Sequence, residues 1–256
     1  MKLIILGSGT GNPLNDRASP ALVVFAASEI ILFDMGPGTL RQLSRIGISH
    51  NRIKHIFITH FHPDHTADLV HFLFATKDPS TIGSRVPFLI TGPDGIAPFV
   101  RDLQKAYGEW LDLPPGLMRI EELDTSKEET REYDYFRVRT VHTAHTLQSL
   151  AYRVEGTKGK TFVYSGDTSY CDDIISLGKD CDLLILECSF PDDQAVQGHL
   201  TPSEAGRVAQ SAGAKKLLLL NFYPEILETD IARSCRNTYK GELILGRDLM
   251  HLMLDP

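Results

Sequence analysis

Short apolar runs recur along the chain and predict a β-rich fold. They lie at residues 2–6, 21–25, 30–33, 53–59, 86–90, 136–141, 150–154, 161–165, 183–187, 217–220 and 243–245. The first, third and fourth are followed by Gly, Asp or His and the second is preceded by Pro, which is typical of buried strands. The runs fall into two series, one before and one after residue 86, which indicates two groups of strands.

Helical patterns are fewer and lie between the strand groups. The clearest are at 64–76, 94–107 and 202–212, with a short helix near 41–45. The third has a defined start, because Thr201 can cap it, Pro202 suits its first position and Glu204 completes a capping box. The loop before this helix carries His199. Two strand groups with helices between them predict an α/β fold of two sheets packed face to face and covered by helices outside.

Length and composition fit one globular domain spanning residues 1–256. The chain is 42% hydrophobic and 23% charged and has no long low-complexity stretch. It shows neither a signal h-region nor an apolar run long enough to span a membrane, so we expect a cytoplasmic protein. The four cysteines are too few and too irregularly spaced for a disulfide framework, and we expect reduced thiols.

The net charge of −7 narrows the class of partner. Proteins that bind long nucleic acids draw their affinity from Lys and Arg that neutralise phosphates. A large nucleic-acid surface is therefore disfavoured. A small anionic substrate remains compatible with this charge, because a local positive site can override the global sign.

The segment "THFHPDH" at residues 59–65 concentrates chemistry in one strand-to-helix loop. If the chain stays extended through it, His60 and His62 point to one side with Cα atoms roughly 6 to 7 Å apart. Pro63 then turns the chain, so that Asp64 and His65 can face a second point nearby. A merely solvated loop is the alternative, but this spacing is typical of metal ligands.

An imidazole-rich site needs further ligands from elsewhere in the chain. His142 and His145 follow one predicted strand, and Asp167 follows another within "YSGDT". Each of these residues alone is weak support. An Asp in "SGDT" also suits a turn, and one of the two histidines is expected to be structural.

These motifs together resemble the metallo-β-lactamase superfamily, in particular its ribonuclease Z and phosphodiesterase branch. "THFHPDH" resembles the HxHxDH signature, "VPFLITGPDGIAPFV" the PLxIyGPxGI stretch, and "YSGDT" the GDT element. "HTLQSLAYRV" is similar to HxxxSxGYR, and "GHLTPSEAGRVA" to GHSTxxxAxxxA. The similarity covers nearly the whole length. It implies a four-layer αββα sandwich.

The resemblance also assigns the site residues. It implies that His60, His62 and His145 hold a first metal, which leaves His142 structural. Asp64 and His65 would hold a second ion, with Asp167 bridging the two. His199 would protonate a leaving group, the alternative being a loop histidine that interacts with the nearby helix end.

Two departures from the family pattern matter. The family strand that ends in "LTHFS" corresponds here to "KKLLLLNFYPE", which puts Asn221 at the position of the last histidine ligand. An amide oxygen is a weaker zinc ligand than imidazole, so we expect a weakly held or absent second metal. Residues 146–166 also leave no room for the long arm that tRNA-processing members insert there, which disfavours tRNA 3′ processing.

The resulting hypothesis is a metal-dependent hydrolase of a small or cyclic nucleotide-type phosphodiester. The resemblance implies one or two zinc ions, with Mn, Co or Fe as alternatives, and a homodimer as one possible assembly. Water activated by the metal would attack, Asp64 and Asp167 would orient it, and His199 would donate a proton. Two alternatives stay open. They are a carboxylic ester, thioester or lactone hydrolase on the same centre, and a non-catalytic metal- or nucleotide-binding protein.

Three lesser features carry structural expectations. The glycine-rich segment 7–13 lacks the helix that a dinucleotide fingerprint requires, so we interpret it as a tight loop that lines the metal site. Phe99, Tyr107 and Trp110 lie at near-helical spacing, which favours core packing over a substrate lid. The charged run 124–134 predicts a solvated hairpin or loop.

Overall fold

The first of two seven-stranded sheets comes almost entirely from the first half of the chain. The computed structural model describes residues 1–254. This sheet contains β1 (Lys2–Gly7), β2 (Ala21–Ala26), β3 (Glu29–Phe33), β4 (Ile53–Phe57), β5 (Phe88–Pro93), β6 (Met118–Leu123) and β14 (His251–Met253). Their order is β14-β1-β2-β3-β4-β5-β6. Pairing is antiparallel from β14 to β3 and parallel from β3 to β6.

The second sheet repeats this layout. It contains β7 (Glu129–Glu132), β8 (Phe136–His142), β9 (Leu150–Gly156), β10 (Thr161–Tyr164), β11 (Leu183–Glu187), β12 (Lys216–Leu220) and β13 (Glu242–Leu245). Their order is β13-β12-β11-β10-β9-β8-β7. Pairing is antiparallel from β7 to β10 and parallel from β10 to β13. Each sheet thus has a parallel half whose carboxyl ends lie at one edge.

Helices cover the outer face of both sheets. They are α1 (Thr39–Arg45), α2 (Pro63–Thr66), α3 (Asp68–Thr76), α4 (Pro79–Ile82), α5 (Ile96–Tyr107), α6 (Asp172–Leu177), α7 (Pro202–Ala212), α8 (Pro224–Leu227) and α9 (Ile231–Thr238). Short 3₁₀ turns occupy His50–Arg52, Gly108–Leu111 and Asp192–Gln194. Within residues 1–254 no helix has both the length and the apolar character that crossing a bilayer requires.

Strand alternation divides the buried side chains into three apolar layers. Leu3 and Ile5 of β1 face the second sheet, whereas Ile4 and Leu6 face the helices. The central layer joins both sheets, and the two outer layers lie under α1, α3 and α5 on one side and α6, α7 and α9 on the other. This arrangement is the predicted four-layer αββα sandwich.

The sequence-based elements agree with the structure in most places. Every apolar run that predicts a strand lies on an observed strand, and α7 has the capping box of Thr201 and Glu204 with Pro202 at its start. The helix expected at 64–76 is divided at Ala67 into α2 and α3. The charged run 124–134 includes β7, which pairs with β8 at the edge of the second sheet.

The expectation that the aromatic residues near α5 pack into the core is wrong for Tyr107 and Trp110, whereas Phe99 packs against the apolar layer under α5. Trp110 is 59% exposed and Tyr107 is 51% exposed. Together with Phe74 and Phe99 they line an open groove of about 730 Å³ between α3 and α5. Helical spacing identifies one face of a helix, but it does not distinguish a face that is covered from one that is left open.

Candidate metal centre

The predicted ligand loop lies at the carboxyl end of β4, where the parallel half of the first sheet ends. A buried carboxylate, Asp34, at the end of β3 accepts hydrogen bonds from the Thr59 amide at 2.8 Å and from its hydroxyl at 2.9 and 3.0 Å. Pro63 then begins α2 and turns the chain. The loop is thereby held between two strand ends with His60 and His62 on one side, their ring centroids 4.6 Å apart.

Four side chains from three loops converge as a first ligand group. One ligand atom from each of His60, His62, His145 and Asp167 lies within 4.8 Å of all the others. His145 Nε2 is 3.1 Å from His62 Nδ1 and 3.7 Å from Asp167 Oδ2. Zinc–nitrogen bonds of 2.0 to 2.1 Å in a tetrahedron give ligand separations of about 3.3 Å. The group therefore has the dimensions of a tetrahedral ion site.

Hydrogen bonds fix which nitrogens can bind a metal. His145 Nδ1 lies 2.9 Å from the Gly198 carbonyl oxygen, which can only accept, so Nδ1 carries the proton. The Thr59 hydroxyl donates to Asp34 and therefore accepts from His60 Nδ1 at 3.0 Å. His60 Nε2 is then left with a free lone pair, and the lone pair of His145 Nε2 faces His62 Nδ1. Burial lowers the pKa of both imidazoles and keeps them in the neutral form that metals bind.

A second group lies on the other side of Asp167. His65 Nε2 is 3.3 Å from Asp167 Oδ1 and 3.8 Å from Asp64 Oδ2. Its Nδ1 lies 2.7 Å from Asp34, which fixes the ring. Burial works to lower the pKa of His65, but the charges of Asp167 and Asp34 raise it well above its ordinary value. The negative charges of these two carboxylates would also favour a metal cation bound at His65 Nε2 in place of the proton.

Asp34 is a functional residue that the sequence analysis missed. It is fully buried and also accepts from Tyr164 Oη at 2.9 Å. Its φ of 57° is a left-handed conformation, which Asp tolerates better than most residues. In the sequence it looks like the polar end of an apolar strand. The signal that could have identified it is its position directly after "IILF", where parallel strands end together.

Asp167 lies between the two groups and is 4% exposed. Its Oδ2 faces His60 and His145, at 3.9 and 3.7 Å, whereas Oδ1 faces His65. Burial alone would raise the pKa of this carboxyl, but the neighbouring imidazoles, His65 foremost, hold it well below its ordinary value. The carboxylate is therefore charged, with one oxygen directed to each side.

Asn221 approaches the same carboxylate from β12. Its Nδ2 donates to Asp167 Oδ1 at 2.6 Å, and its φ is 62°. A carboxylate only accepts, so the amide nitrogen and not the amide oxygen faces it. The hydrogen bond occupies the oxygen of Asp167 that serves the second group. Asn221 thus supports the carboxylate without offering its own oxygen in that direction.

A paired carboxylate and imidazole flank the first group. His199 Nδ1 lies 3.0 Å from Glu187 Oε1, and Glu187 also accepts from the Thr168 amide and the Ser189 hydroxyl. Burial raises the pKa of Glu187 to about 7, and Glu187 raises that of His199 against the opposing effect of burial. The pair therefore retains a proton near neutral pH. Glu187 was missed from sequence because it ends the apolar run "LLILE".

The remaining predicted residues have clear locations. His142 Nε2 bonds to the Thr146 carbonyl oxygen at 2.9 Å and is not part of either ligand group. The glycine-rich loop 7–13 borders the site, since a Cβ on Gly11 would lie 3.3 Å from Asp64. All four cysteines are unpaired within residues 1–254.

The side chains present fit a divalent cation. Buried imidazole nitrogens normally have a partner, yet within residues 1–254 the Nε2 atoms of His60 and His65 make no hydrogen bond. Both are directed at the charged Asp167. Nitrogen and carboxylate ligands in this number suit zinc and its first-row neighbours. A cation would give these nitrogens their missing partner and neutralise the carboxylate.

Comparison with known proteins gives consistent matches over the whole chain. A family model described as the Beta-lactamase superfamily domain matches residues 29–222. The ribonuclease Z of Streptococcus equi subsp. equi is 30% identical, covering 94% of this chain and 94% of that protein. The short form of human tRNase Z (ELAC1) is 25% identical with a TM-score of 0.83 and full coverage of both chains. The metallo-beta-lactamase fold protein YhfI of Bacillus subtilis superimposes with a TM-score of 0.86 at 24% identity, covering 98% of each chain.

The two histidines of the 142–145 segment should differ in their effect on metal binding. We expect His145→Ala to weaken zinc binding by more than the 10- to 100-fold that is typical when a residue hydrogen-bonded to a ligand is replaced, because it removes a direct ligand. His142→Ala should change it little. Isothermal titration of metal-stripped protein measures both, with His142→Ala as the matched control. The reverse order would show that the ligand has been assigned to the wrong histidine.

Asn221 should make the two ion positions unequal. Because its amide hydrogen occupies Asp167 Oδ1, zinc titration should resolve one tight and one weaker site. Asn221→His should tighten the second by about tenfold, since imidazole is the better zinc ligand. Histidine also tolerates the positive φ at this position. Two equally tight ions in the unmodified protein would contradict this account and indicate that another side chain completes the second site.

Proposed function

We propose that this chain, which belongs to the metallo-β-lactamase superfamily in its ribonuclease Z-like branch, hydrolyses the phosphodiester bond of a small or cyclic nucleotide-type substrate. Membership makes the chain a metal-dependent hydrolase. Zinc is the ion we propose, because imidazole nitrogens and a carboxylate oxygen are among its usual ligands.

The observation that carries the proposal is the position of the Glu187–His199 pair beside the first ligand group. His199 Nδ1 lies 3.9 Å from Asp167 Oδ2, and its ring centroid is 5.1 Å from that of His145. Nδ1 is engaged by Glu187, so Nε2 is the nitrogen that remains available to a substrate. A proton donor thus lies next to the position that a Lewis-acidic metal ion would occupy, and the hydrolysis of an ester uses both.

The roles of the side chains follow from this layout. A bound divalent ion would supply Lewis acidity and bring the pKa of water close to neutrality. Asp64 and Asp167 accept hydrogen bonds from the attacking water and orient it. His199 donates a proton to the leaving oxygen. Glu187 holds the imidazole of His199 in the protonated form and fixes the direction of Nε2.

The charge around the site supports a small substrate. The loops at 7–19, 34–38, 58–66, 143–149, 165–171, 188–201 and 221–230 contain a single Lys or Arg, Arg17, and the adjoining loop 246–250 adds Arg247. Arg17 donates to Ser8 Oγ and to the Gly246 carbonyl oxygen and lies over the Phe222 ring, so it is already engaged. Long RNA would need several free cations here. The connection between β9 and β10 is also only residues 157–160, which leaves no arm to hold tRNA.

The names of the relatives support the type of bond. Ribonuclease Z and tRNase Z are names of nucleases. This favours phosphodiesters over the carboxylic esters, thioesters or lactones that the same kind of centre could hydrolyse. It also makes precursor tRNA the rival substrate that any test has to include.

The direct test is turnover by metal-stripped protein after addition of Zn²⁺, Mn²⁺ or Co²⁺. We expect release of nitrophenol from bis(p-nitrophenyl) phosphate with at least one ion, and its loss on renewed chelation. A panel of aryl carboxylic esters and thioesters, and a precursor tRNA, are assayed beside it. No phosphodiester turnover with any ion, or faster hydrolysis of the carbonyl panel, would reject the proposal. Efficient 3′ cleavage of the precursor tRNA would reject the small-substrate assignment.

Glu187→Gln should change the pH profile and not only the rate. Glu187 raises the pKa of His199, and a proton donor loses activity as pH rises through its pKa. Removing that charge lowers the pKa, so the alkaline limb of kcat should move to lower pH. A phosphodiester with an alkyl leaving group is the suitable substrate, because an alkoxide needs protonation more than a phenolate does. An unchanged alkaline limb would contradict this role.

A further inference from the structure

Two stacked aromatic rings stand beside His199 and have no part in the hydrolytic roles described above. Phe190 and Tyr223 lie 4.6 Å apart between ring centroids at an interplanar angle of 22°. The His199 ring centroid is 5.6 Å from that of Phe190 and 6.1 Å from that of Tyr223, at interplanar angles of 66° and 69°. His199 therefore contacts Glu187 through Nδ1 and the aromatic pair through its ring.

The pair comes from two different loops of the second sheet. Phe190 follows β11, and Tyr223 follows β12 and precedes Pro224, the first residue of α8. Phe222, next to Tyr223, is fully buried in the outer apolar layer. Both rings of the pair remain partly exposed. Phe222 therefore packs in the apolar layer, and Tyr223 lies beside His199.

The Tyr223 phenol lies in a negatively charged surrounding beside His199. Burial, followed by the charges of Asp64 and Asp167, raises the pKa of this phenol to about 12, so the hydroxyl keeps its proton. Among residues 1–254 it has no hydrogen-bond partner within 3.5 Å. A partly buried phenol without a partner is available to an incoming polar atom, and its ring is available to an apolar one.

A second exposed aromatic cluster competes for the same kind of ligand. The groove between α3 and α5 contains Phe61, Phe99, Tyr107 and Trp110. It adjoins the ligand loop through Phe61, whose ring stacks on Phe99 at 4.9 Å. It lies on the helix side of the first sheet, however, whereas His199 belongs to the second. Only the Phe190–Tyr223 pair contacts the residue that would protonate a leaving group.

We propose that Phe190 and Tyr223 form the binding surface for a planar aromatic group, such as a nucleobase or a phenyl ring, on the leaving side of the substrate. The inference rests on the proposed function for the identity of the reacting bond and for His199 as the proton donor. A planar ring gains contact with the exposed faces or edges of the pair, and such contacts are sequence-tolerant for bases. The Tyr223 hydroxyl donates to a polar atom of the same ligand. The site therefore recognises its substrate through contact with an aromatic ring, because its loops lack free cations.

Two phosphonates with the same head group test this surface without any turnover. Zinc-loaded protein is titrated calorimetrically with phenylphosphonate and with methylphosphonate. We expect the unmodified protein to prefer the phenyl compound by roughly five- to tenfold, the effect of one favourable aromatic contact together with burial of the ring. Tyr223→Leu should remove most of this preference, because it keeps an apolar side chain but loses the ring. Tyr223→Phe should retain it.

Trp110→Leu is the matched control, because it makes the same kind of change in the competing groove. We expect it to leave the preference unaltered. Phe190→Leu provides a second variant of the pair, and thermal melting checks that every variant is folded. Equal affinity for the two phosphonates in the unmodified protein would overturn the inference. So would loss of the preference in Trp110→Leu with its retention in Tyr223→Leu and Phe190→Leu.

The two proposals can fail separately in this design, because phosphonates are not hydrolysed. A Tyr223-dependent phenyl preference without phosphodiester turnover would leave the aromatic surface standing and remove the proposed reaction. Turnover of bis(p-nitrophenyl) phosphate without any phenyl preference would do the opposite.

Discussion

The site depends on the interactions that stabilise the buried, charged carboxylate of Asp167. A charged group that is 4% exposed is stable only if surrounding groups compensate for the water it has lost. Here a shell of imidazoles from both sheets surrounds it: Oδ1 is compensated by His65 and by the Asn221 amide, whereas Oδ2 faces the unprotonated Nε2 atoms of His60 and His145, which a bound cation would satisfy. Asp34 anchors this shell from the first sheet and is tied to the second sheet through Tyr164. The meeting of the two parallel edges, and not any single loop, therefore creates the centre.

Much of the fold could be predicted because the strands are fully apolar runs. "ALVVF", "LLILE" and "LLLL" are buried on both faces, and a continuous apolar run predicts a strand even without alternation. Half of the residues of strand β6, "MRIEEL", are charged and do not alternate regularly, and β14 has only three residues, so the sequence of neither strand can be distinguished from that of a polar loop. The exposure of Trp110 could not be foreseen, because whether a helix face is covered depends on tertiary packing.

The ligand cluster could be predicted in part. "HFHPDH" concentrates four chemically active residues in one loop, and that density is itself the signal. Asp34 and Glu187 carry no such signal, because each is a single carboxylate at the end of an apolar strand, where turn residues are common. Their importance comes from hydrogen bonds to distant loops of the same sheet, from Asp34 to His65 and from Glu187 to His199, that no local pattern encodes. The direction of the Asn221 amide likewise depends on the approach of β12 to Asp167.

The central claim is that Asp167 divides two ligand groups and directs a different oxygen to each. A crystal structure of zinc-loaded protein, with the ions located by anomalous scattering at the zinc edge, tests this most directly. The account predicts the strongest peak among His60, His62, His145 and Asp167 Oδ2, and any weaker peak beside His65 and Oδ1. A principal peak among Asp167, Glu187 and His199, the other group of side chains with suitable spacing, would contradict it and make His199 a ligand in place of a proton donor.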